Sequence, residues 1–184
     1  RTQGWPQAEV VDAAADFAGS RVPLVATFAF NGDEVTLINN HFSSKGGSSP
    51  LMGTTQPTLN GGADQRLVQA QNVADYVASL GPSANVVVLG DLNEFTNEES
   101  LAPLNAVGLS AMSLTLPVLE RYSYLFEGNA QELDQTYVSG ALLPSARFDI
   151  VHANAEFAWS ATRASDHDPS VLALTIEAGN YLTI

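Results

Sequence analysis

Cysteine is absent from all 184 residues of the chain. Its absence excludes disulfide bonds, thiol catalysis and zinc sites built on cysteine thiolates. It does not identify the cellular compartment, because a bacterial exported protein and a cytosolic protein can both lack cysteine.

Basic residues are scarce. The chain has 7 Lys and Arg against 20 Asp and Glu, which gives a formal net charge of −13 at pH 7. Static nucleic-acid binding through counterion release normally needs a basic protein, so that function class is disfavoured. A hydrolase that contacts a phosphodiester briefly and neutralises it with a metal ion stays compatible with this charge. An acidic, Lys-poor surface also favours a secreted or periplasmic protein.

Long apolar runs are absent too, and no stretch approaches the length needed to cross a bilayer.

The sequence opens at Arg1 without an initiator methionine, a basic segment or an apolar segment, so we expect it to begin inside a longer precursor. Hydrophobic residues make up 45% of the chain and charged residues 15%, which is typical of a globular protein. The length fits one domain.

Hydrophobic periodicity predicts an α+β fold. The strongest predicted helix covers residues 64–80, where apolar residues recur at helical spacing, and shorter helices are predicted over residues 7–18 and 98–107. Strands are predicted over residues 22–30, 35–40, 86–89, 122–126, 132–138, 155–159 and 170–176. A hairpin turn is predicted at residues 31–33, and a long loop over residues 43–62. Helices between hairpin strands indicate a sandwich of sheets with helices outside.

Two polar residues follow the most apolar of these strands. Asp91 and Asn93 come directly after the four apolar residues 86–89, and alternation places both side chains on one side. A carboxylate and an amide at the mouth of a core strand are costly to desolvate. That cost is tolerated where such a pair binds a metal ion, a water molecule or a phosphate.

Other polar residues stand at further strand ends. His41 follows one predicted strand, Asp134 lies in another, and residues 165–169 (Ser-Asp-His-Asp-Pro) precede the last one. Histidine, aspartate and asparagine side chains gathered on one edge can coordinate a hard cation and transfer protons. Their oxygen-rich character favours Mg²⁺, Mn²⁺ or Ca²⁺ over zinc.

Each position also has a structural interpretation. His41 can be a half-exposed hydrogen-bonding residue, Asp91 can cap a turn, and Asp134 can pair with Arg121 or Arg147. Residues 165–169 can form a turn closed by proline. Taken singly, each structural interpretation is favoured; taken together, in this order and at these strand ends, the functional interpretation is favoured.

The motifs resemble those of one superfamily. They are Asn-His-Phe-Ser-Ser-Lys at residues 40–45, Gly-Asp-Leu-Asn at 90–93, Leu-Asp at 133–134 and Ser-Asp-His-Asp-Pro at 165–169, with Arg-Val-Pro-Leu at 21–24. In this order they resemble the successive motifs of the endonuclease/exonuclease/phosphatase superfamily, whose fold is that of pancreatic deoxyribonuclease. They are most similar to its bacterial extracellular nucleases. The resemblance extends from about residue 21 to residue 174.

The resemblance implies a part of a two-layer β-sandwich flanked by helices, and a Mg²⁺-dependent hydrolase. In such an enzyme Asp91 would orient or deprotonate the attacking water, or protonate the leaving oxygen. Asn93 would donate a hydrogen bond to the phosphate. His167 would stabilise the charge of the scissile phosphate, and Asp134 would hold the imidazole of His167.

Three further roles are implied by the same resemblance. Asp166 would be a metal ligand, with Asp91 as a possible second one. His41 would contact the phosphate from the other side, and Arg21 would support it electrostatically. The implied chemistry is in-line displacement at phosphorus by water.

The chain departs from the superfamily pattern at its beginning. The first half of that domain supplies an asparagine and a metal-binding glutamate, and neither has a counterpart here. We therefore expect residues 1–184 to be one incomplete domain, covering the C-terminal half to two-thirds of the fold without its N-terminal strands. An open apolar face and strand edge would then make the isolated chain dimeric or prone to aggregation, unless the missing N-terminal part stays bound as a partner. We also expect weak metal binding by this chain alone.

Three functions remain open at this point. The favoured one is a secreted endonuclease that meets DNA or RNA as a transient substrate. A phosphatase or a phospholipase/sphingomyelinase-type phosphodiesterase of the same fold is the second. A binding module that keeps the fold without activity is the third, and the presence of all five expected catalytic side chains argues against it; these are His41, Asp91, Asn93, Asp134 and His167.

Overall fold

The computed structural model describes residues 16–30, 32–50, 52–160 and 162–176. In order, these residues form β1 (Arg21–Phe30), β2 (Asp33–His41), α1 (Ala63–Ser79), β3 (Asn85–Asp91), a 3₁₀ turn (Glu99–Leu101), α2 (Ala102–Ala106), β4 (Leu109–Ala111), two 3₁₀ turns (Met112–Thr115, Val118–Glu120), β5 (Tyr124–Phe126), β6 (Asn129–Gln131), β7 (Asp134–Ser139), a 3₁₀ turn (Leu143–Ser145), β8 (Arg147–Ile150) and β9 (Ser170–Ala173). Neither of the described helices has the length and apolar character needed to span a membrane.

Five strands form the main sheet, in the order β1-β2-β3-β7-β4. β2 and β3 run parallel, and the other neighbouring pairs are antiparallel. The parallel connection runs through α1, which is the usual way to join two parallel strands. β8 and β9 form a second, two-stranded sheet, and β5 and β6 form a separate hairpin.

The main sheet is covered on both faces, which explains the uninterrupted apolar run in β3. Val86 and Val88 belong to the core cluster that includes the α1 residues Ala70 and Val73. Val87 points the other way, into a cluster that includes Phe148, Leu172 and Leu174 of the second sheet and its neighbourhood. The chain therefore has a sheet-on-sheet layer with a helix outside, and the predicted α+β fold is confirmed.

Most predicted elements are present with shifted ends. The helix predicted over residues 64–80 is α1, and the predicted hairpin is the two-residue connection between β1 and β2, in which Phe30 pairs with Asp33. Of the helix predicted over residues 7–18, residues 7–15 lie outside the described part, and residues 16–18 form a turn. The described residues of the predicted loop, 43–50 and 52–62, contain no helix or strand.

The strand predicted over residues 155–159 is wrong. These residues form a turn and irregular structure instead. The backbone N–H groups of Ala153, Asn154 and Ala155 all donate to the buried carboxylate of Asp168, at 3.0, 2.7 and 2.9 Å. A backbone whose donors are bound by one side chain cannot use them in a strand ladder.

The face of β1 that points away from α1 is apolar and exposed. Leu24, Phe28 and Phe30 are 58%, 53% and 60% exposed. In the sheet register, Phe28 lies opposite Val35, whose side chain packs in the cluster shared with the second sheet. The covering layer of β8 and β9 thus leaves the β1 end of this face open within the described ranges.

Candidate functional site

Four polar residues form one row across four strands at one end of the main sheet. Arg21 of β1 pairs with His41 of β2, His41 pairs with Asp91 of β3, and Asp91 pairs with Asp134 of β7. The four residues are separated by 20 to 50 positions along the chain, so the strand register alone assembles them. It gives a line with two basic side chains, Arg21 and His41, followed by two carboxylates, Asp91 and Asp134.

Gly90 allows two strands of this row to approach each other. Its φ is 121°, a backbone conformation that side-chain-bearing residues rarely adopt. A Cβ atom at this position would lie 2.1 Å from the carbonyl oxygen of Asn40 on β2. A glycine immediately before Asp91 is therefore required by the close contact of β2 and β3.

His167 joins the row from the loop before β9. Its Nδ1 lies 2.6 Å from Oδ2 of Asp134, which also accepts a hydrogen bond from the Ser123 hydroxyl at 2.6 Å. Because the carboxylate accepts, Nδ1 carries the proton, and Nε2 is the nitrogen available to a substrate. The ring of Tyr124 stacks on His167, with 4.5 Å between ring centroids. Asp134 and Ser123 thus fix the tautomer of the histidine, and Tyr124 packs on the face of its ring.

The electrostatics of the row match acid–base chemistry. Burial and the negative charge of Asp134 raise the pKa of the Asp91 carboxyl, against the hydrogen bond from the backbone N–H of Asn93 and the charges of His167 and His41. The hydrogen bond to Asp134 raises the pKa of His167, while burial acts in the opposite direction. Asp91 is therefore a stronger proton acceptor than an ordinary aspartate, and His167 holds its proton to a higher pH than a free histidine.

Hydrogen-bond donors flank Asp91 on the β1 side. The Nε2 atom of His41 lies 3.7 Å from Oδ2 of Asp91, and its Nδ1 lies 2.7 Å from the guanidinium of Arg21. Because Arg21 can only donate, Nδ1 of His41 is the acceptor and Nε2 carries the proton. Residues 19–21 and His41 line an open depression beside this pair. A phosphate placed there would meet two donors.

Asn93 is buried and links the segment that follows β2 to the end of β3. Its side-chain amide donates to the carbonyl oxygen of Phe42 at 3.1 Å, and its backbone N–H donates to Oδ1 of Asp91 at 2.9 Å. Its φ of 51° lies in the left-handed region, which asparagine tolerates better than most residues. The Asn93 backbone therefore holds the carboxylate of Asp91 in place.

A buried ion pair lies behind this edge and has no counterpart among the predicted site residues. The side chains of Arg66 on α1 and Glu94 are both fully buried, and Nη2 of Arg66 lies 2.8 Å from Oε2 of Glu94. Burial alone would raise the pKa of Glu94, but hydrogen bonds from Lys45, Asn60 and Arg66 lower it to about 2. The carboxylate is therefore charged at neutral pH, and its charge is compensated.

Arg66 also connects three separate segments. Its guanidinium donates to the carbonyl oxygens of Ser43, Ser44 and Gly61, at 3.0, 3.1 and 2.9 Å. The first two follow His41 closely in the sequence, and Glu94 follows Asn93. One buried side chain thus holds the loop after β2, the end of the long loop and the loop after β3 together. The sequence contained a signal for it, because residue 66 precedes Ala70, Val73 and Val77 at helical spacing, on the buried face of α1.

Asp168 anchors the loop that carries His167. Its carboxylate accepts hydrogen bonds from the backbone N–H groups of residues 153–155 and lies 3.0 Å from Nδ1 of His152. The Asn154 side-chain amide, from the same turn, donates to the His167 carbonyl oxygen at 2.8 Å. Asp168 is 3% exposed. It was visible in the sequence only as the fourth residue of the Ser-Asp-His-Asp-Pro segment, and its role depends on contacts that the sequence does not contain.

Within the described ranges, one group of side chains could hold a metal ion. Asp91, Asp134 and His167 each offer a ligand atom, and these atoms lie within 4.8 Å of one another. Two carboxylates facing each other across neighbouring strands suit a hard divalent cation, because such a cation would neutralise their mutual repulsion. Oδ2 of Asp134 already accepts hydrogen bonds from His167 and Ser123. The Asp91 carboxylate is therefore the one with more lone pairs free to bind a metal ion.

The predicted site residues fall into two groups. The structure brings Arg21, His41, Asp91, Asn93, Asp134 and His167 together at one end of the sheet. Asp166 is exposed beside them, and its negative charge contributes to the raised pKa of His167. The structural pairing of Asp134 with Arg121 or Arg147 is not formed, because the described contacts of both arginines are with backbone carbonyl oxygens.

Neither a protein-family model nor a curated protein sequence matches the chain. Solved structures do. TDP2 of D. rerio, humanised by 14 mutations, superposes with a TM-score of 0.60 at 17% identity, over 87% of this chain and 64% of the other. D. rerio TDP2 complexed with a single-strand DNA product gives a TM-score of 0.55 at 16% identity, over 86% of this chain and 64% of the other.

Two further structures share the architecture. The endonuclease domain of TRAS1, a telomere-specific non-LTR retrotransposon, gives a TM-score of 0.56 at 14% identity, over 84% of this chain and 64% of the other. The mannosyl-6-phosphatase Bt3783 of Bacteroides thetaiotaomicron gives 0.53 at 19% identity, over 79% and 52%. The chain therefore spans less than two thirds of the length of these proteins, and the fold that the sequence motifs indicated is confirmed.

Proposed function

Because the chain has the deoxyribonuclease-I-like fold of the endonuclease/exonuclease/phosphatase superfamily, we propose that it is a metal-dependent phosphodiester hydrolase. More specifically, we propose an extracellular endonuclease that cleaves DNA or RNA by in-line attack of water at phosphorus. One observation carries this proposal: the cross-strand row from Arg21 to Asp134, completed by His167, places a proton acceptor between two sets of donors.

Each residue of the row has a chemical role in this proposal. Asp91, with its raised pKa, orients the attacking water and takes its proton. His167 donates from Nε2 to the scissile phosphate, and Asp134 keeps the imidazole in the required tautomer. On the β1 side, His41 and Arg21 donate to the phosphate. Charge that develops on phosphate oxygens would thus meet donors on both sides.

The proposed cofactor is Mg²⁺, with Mn²⁺ or Ca²⁺ as alternatives. Asp91 would hold the ion together with Asp166 or Asp134, and the oxygen-rich donor set supports a hard cation. When bound, the ion would neutralise charge on the phosphate and lower the cost of bringing an anionic substrate to a protein of net charge −13.

The remainder of the superfamily domain is a proposed partner of this chain. The chain covers 64% of the TDP2 structure, and the β1 residues Leu24, Phe28 and Phe30 present an exposed apolar strip. Further strands packed on that strip would bury it and supply the metal-binding glutamate expected from the superfamily pattern. We expect weak metal binding by residues 1–184 alone for the same reason.

A phosphatase is the second candidate. The mannosyl-6-phosphatase of similar fold and the strongly acidic composition favour a small phosphorylated substrate over a polyanion. In both reactions water displaces one alcohol from phosphorus, but a diester leaves a phosphate monoester and a monoester leaves inorganic phosphate, so a panel of both substrate types separates the candidates.

A substrate panel on the full-length protein tests the proposal. Plasmid DNA, RNA, bis-p-nitrophenyl phosphate, p-nitrophenyl phosphate and sphingomyelin vesicles are each incubated with Mg²⁺, Mn²⁺ or Ca²⁺, and with a chelator. We expect plasmid nicking and diester hydrolysis that depend on the metal ion. Hydrolysis of the monoester alone would favour the phosphatase, and inactivity on every substrate would favour a binding module.

A further inference from the structure

The aromatic ring that stacks on His167 is the first member of a longer stack. Tyr124 and Phe126 lie on the same side of β5, and their rings stack at 6.4 Å between centroids with 16° between planes. Tyr124 in turn lies 4.5 Å from His167 with 27° between planes. Three rings therefore run in series from the candidate catalytic histidine outwards, at separations typical of offset stacking.

We propose that Phe126 is the outer end of a stacking platform that binds a nucleobase of a single-stranded nucleic acid next to the scissile phosphate. The proposal rests on the nuclease function and deepens it, because it names the part of the substrate that is recognised besides the phosphate. Rings of this kind bind any base, since every base has a flat π-face.

The position of Phe126 supports binding rather than core packing. Its side chain is 50% exposed, and among the described residues no other ring stacks on it beyond Tyr124. Isolated exposed apolar residues are common on protein surfaces. What distinguishes this one is its continuity, through Tyr124, with the imidazole that would contact the phosphate.

Phe126 lies on a short hairpin with a tight turn. β5 and β6 pair from Tyr124–Gln131 to Phe126–Asn129, which leaves a two-residue turn of Glu127 and Gly128. Both turn residues have positive φ, 48° and 79°, as tight hairpin turns require. Tyr124 also forms a β-bridge with His167, so the hairpin is attached to the loop that carries His167.

The shape of the ring stack favours a base over a lipid. Residues 122–133 include Glu127 and Glu132 and contain no lysine or arginine. The hairpin therefore lacks the basic side chains that normally accompany apolar ones at an anionic membrane surface, and it offers no charge attraction to a nucleic-acid backbone either. Stacked ring planes, rather than charge, favour a flat base over an acyl chain.

A single strand fits the platform better than a duplex. Bases inside a duplex are stacked on each other, so their faces are not free to pack on a protein ring unless they are extruded. Bases of a single strand can leave their neighbours and stack on aromatic side chains.

The test compares two substrates that differ only in their bases. One is a single-stranded oligothymidylate, and the other is an oligomer of the same length made of abasic tetrahydrofuran nucleotides. KM is measured for both with the full-length protein, its Phe126→Ala and Phe126→Trp variants, and the control Leu125→Ala. Leu125 points to the opposite side of β5 and is 36% exposed, so it matches Phe126 in strand and exposure.

We expect wild type to bind the oligothymidylate more tightly than the abasic oligomer, by about 5- to 100-fold in KM. Phe126→Ala should bring this ratio close to one, while Phe126→Trp and Leu125→Ala should retain it. An unchanged ratio in Phe126→Ala, with both oligomers still cleaved, overturns the platform and leaves the nuclease function standing. If wild type nicks plasmid DNA but cleaves neither oligomer, the platform is overturned and the nuclease function stands; if it cleaves neither the oligomers nor plasmid DNA or RNA, the nuclease function fails. A selective loss of sphingomyelin-vesicle hydrolysis in Phe126→Ala would assign the hairpin to a lipid instead.

Discussion

Replacement of His167 by alanine is expected to lower kcat/KM for phosphodiester hydrolysis by about 10²- to 10⁴-fold, with the fold intact. The imidazole is held by a hydrogen bond to Asp134, which faces Asp91 across the sheet. Its side chain is 25% exposed, so its removal leaves no closed cavity in the core. The measurement is the initial rate of bis-p-nitrophenyl phosphate hydrolysis by the full-length protein.

Asp134→Asn provides the companion variant for this expectation. An amide can accept the same hydrogen bond or present its own N–H to Nδ1, and the second arrangement inverts the tautomer of His167. We expect a loss of kcat that approaches the loss in His167→Ala, and the double variant should be little worse than either single one, because the two side chains act as a unit. Rates within two-fold of wild type in folded His167→Ala would remove the histidine from the reaction.

The second large effect is structural and concerns the buried pair of Arg66 and Glu94. Arg66→Leu leaves the fully buried Glu94 carboxylate without its arginine partner, and it removes the donors to Ser43, Ser44 and Gly61. The breaking of a buried ion pair by removal of one partner costs about 3–5 kcal/mol. We expect the free energy of unfolding, measured by urea denaturation, to fall by that amount.

A control variant and a double variant test this expected loss of stability. Arg147→Ala is the control, because the Arg147 side chain is exposed and its described hydrogen bond is with the neighbouring carbonyl oxygen of Ala146; we expect a change of less than about 1 kcal/mol. Arg66→Met combined with Glu94→Leu removes both charges and should recover part of the loss. A decrease below about 1 kcal/mol in Arg66→Leu would show that the pair contributes little.

The same pair predicts a direction of pH dependence. The pKa of Glu94 is about 2 in the folded protein, against 4.5 for a free glutamate. A depressed pKa means that the unfolded chain binds the proton more readily, so its stabilising contribution is complete above pH 4.5 and is lost as the pH falls from about 4.5 to 2. Glu94→Gln, less stable than wild type at pH 7, should approach wild type through this window.

The candidate site could be predicted largely from sequence because its residues lie at or near the ends of strands. Asp91 and Asn93 stand where an apolar run ends, and one end of a sheet gathers such positions. His41, Asp134 and His167 carry the same type of signal. The order of the motifs then indicated the superfamily fold, which the structure confirms.

The supporting residues could not be predicted in the same way. Arg66 lies on a helix, and its partner Glu94 is 28 residues away in a loop, so only the fold shows that both are buried. Ser123 acts through a carboxylate 11 residues away. Residues 155–159 are predicted as a strand, but the carboxylate of Asp168 binds the backbone N–H of Ala155 and those of the two residues before it. The local sequence pattern shows hydrophobic periodicity, whereas the roles of Arg66, Ser123 and Asp168 depend on tertiary contacts.

The most direct measurement compares plasmid nicking by the full-length protein and by its Asp91→Asn variant, purified side by side with Mg²⁺ present. Asp75→Asn is the matched control, because Asp75 is an exposed aspartate on α1 whose described hydrogen bond is with Gln71 on the same helix. Wild type and Asp75→Asn should convert supercoiled to nicked plasmid at equal rates, and Asp91→Asn should be slower by at least about 10²-fold. Equal nicking by Asp91→Asn would contradict phosphodiester hydrolysis at this site, and absence of nicking in wild type would contradict the endonuclease.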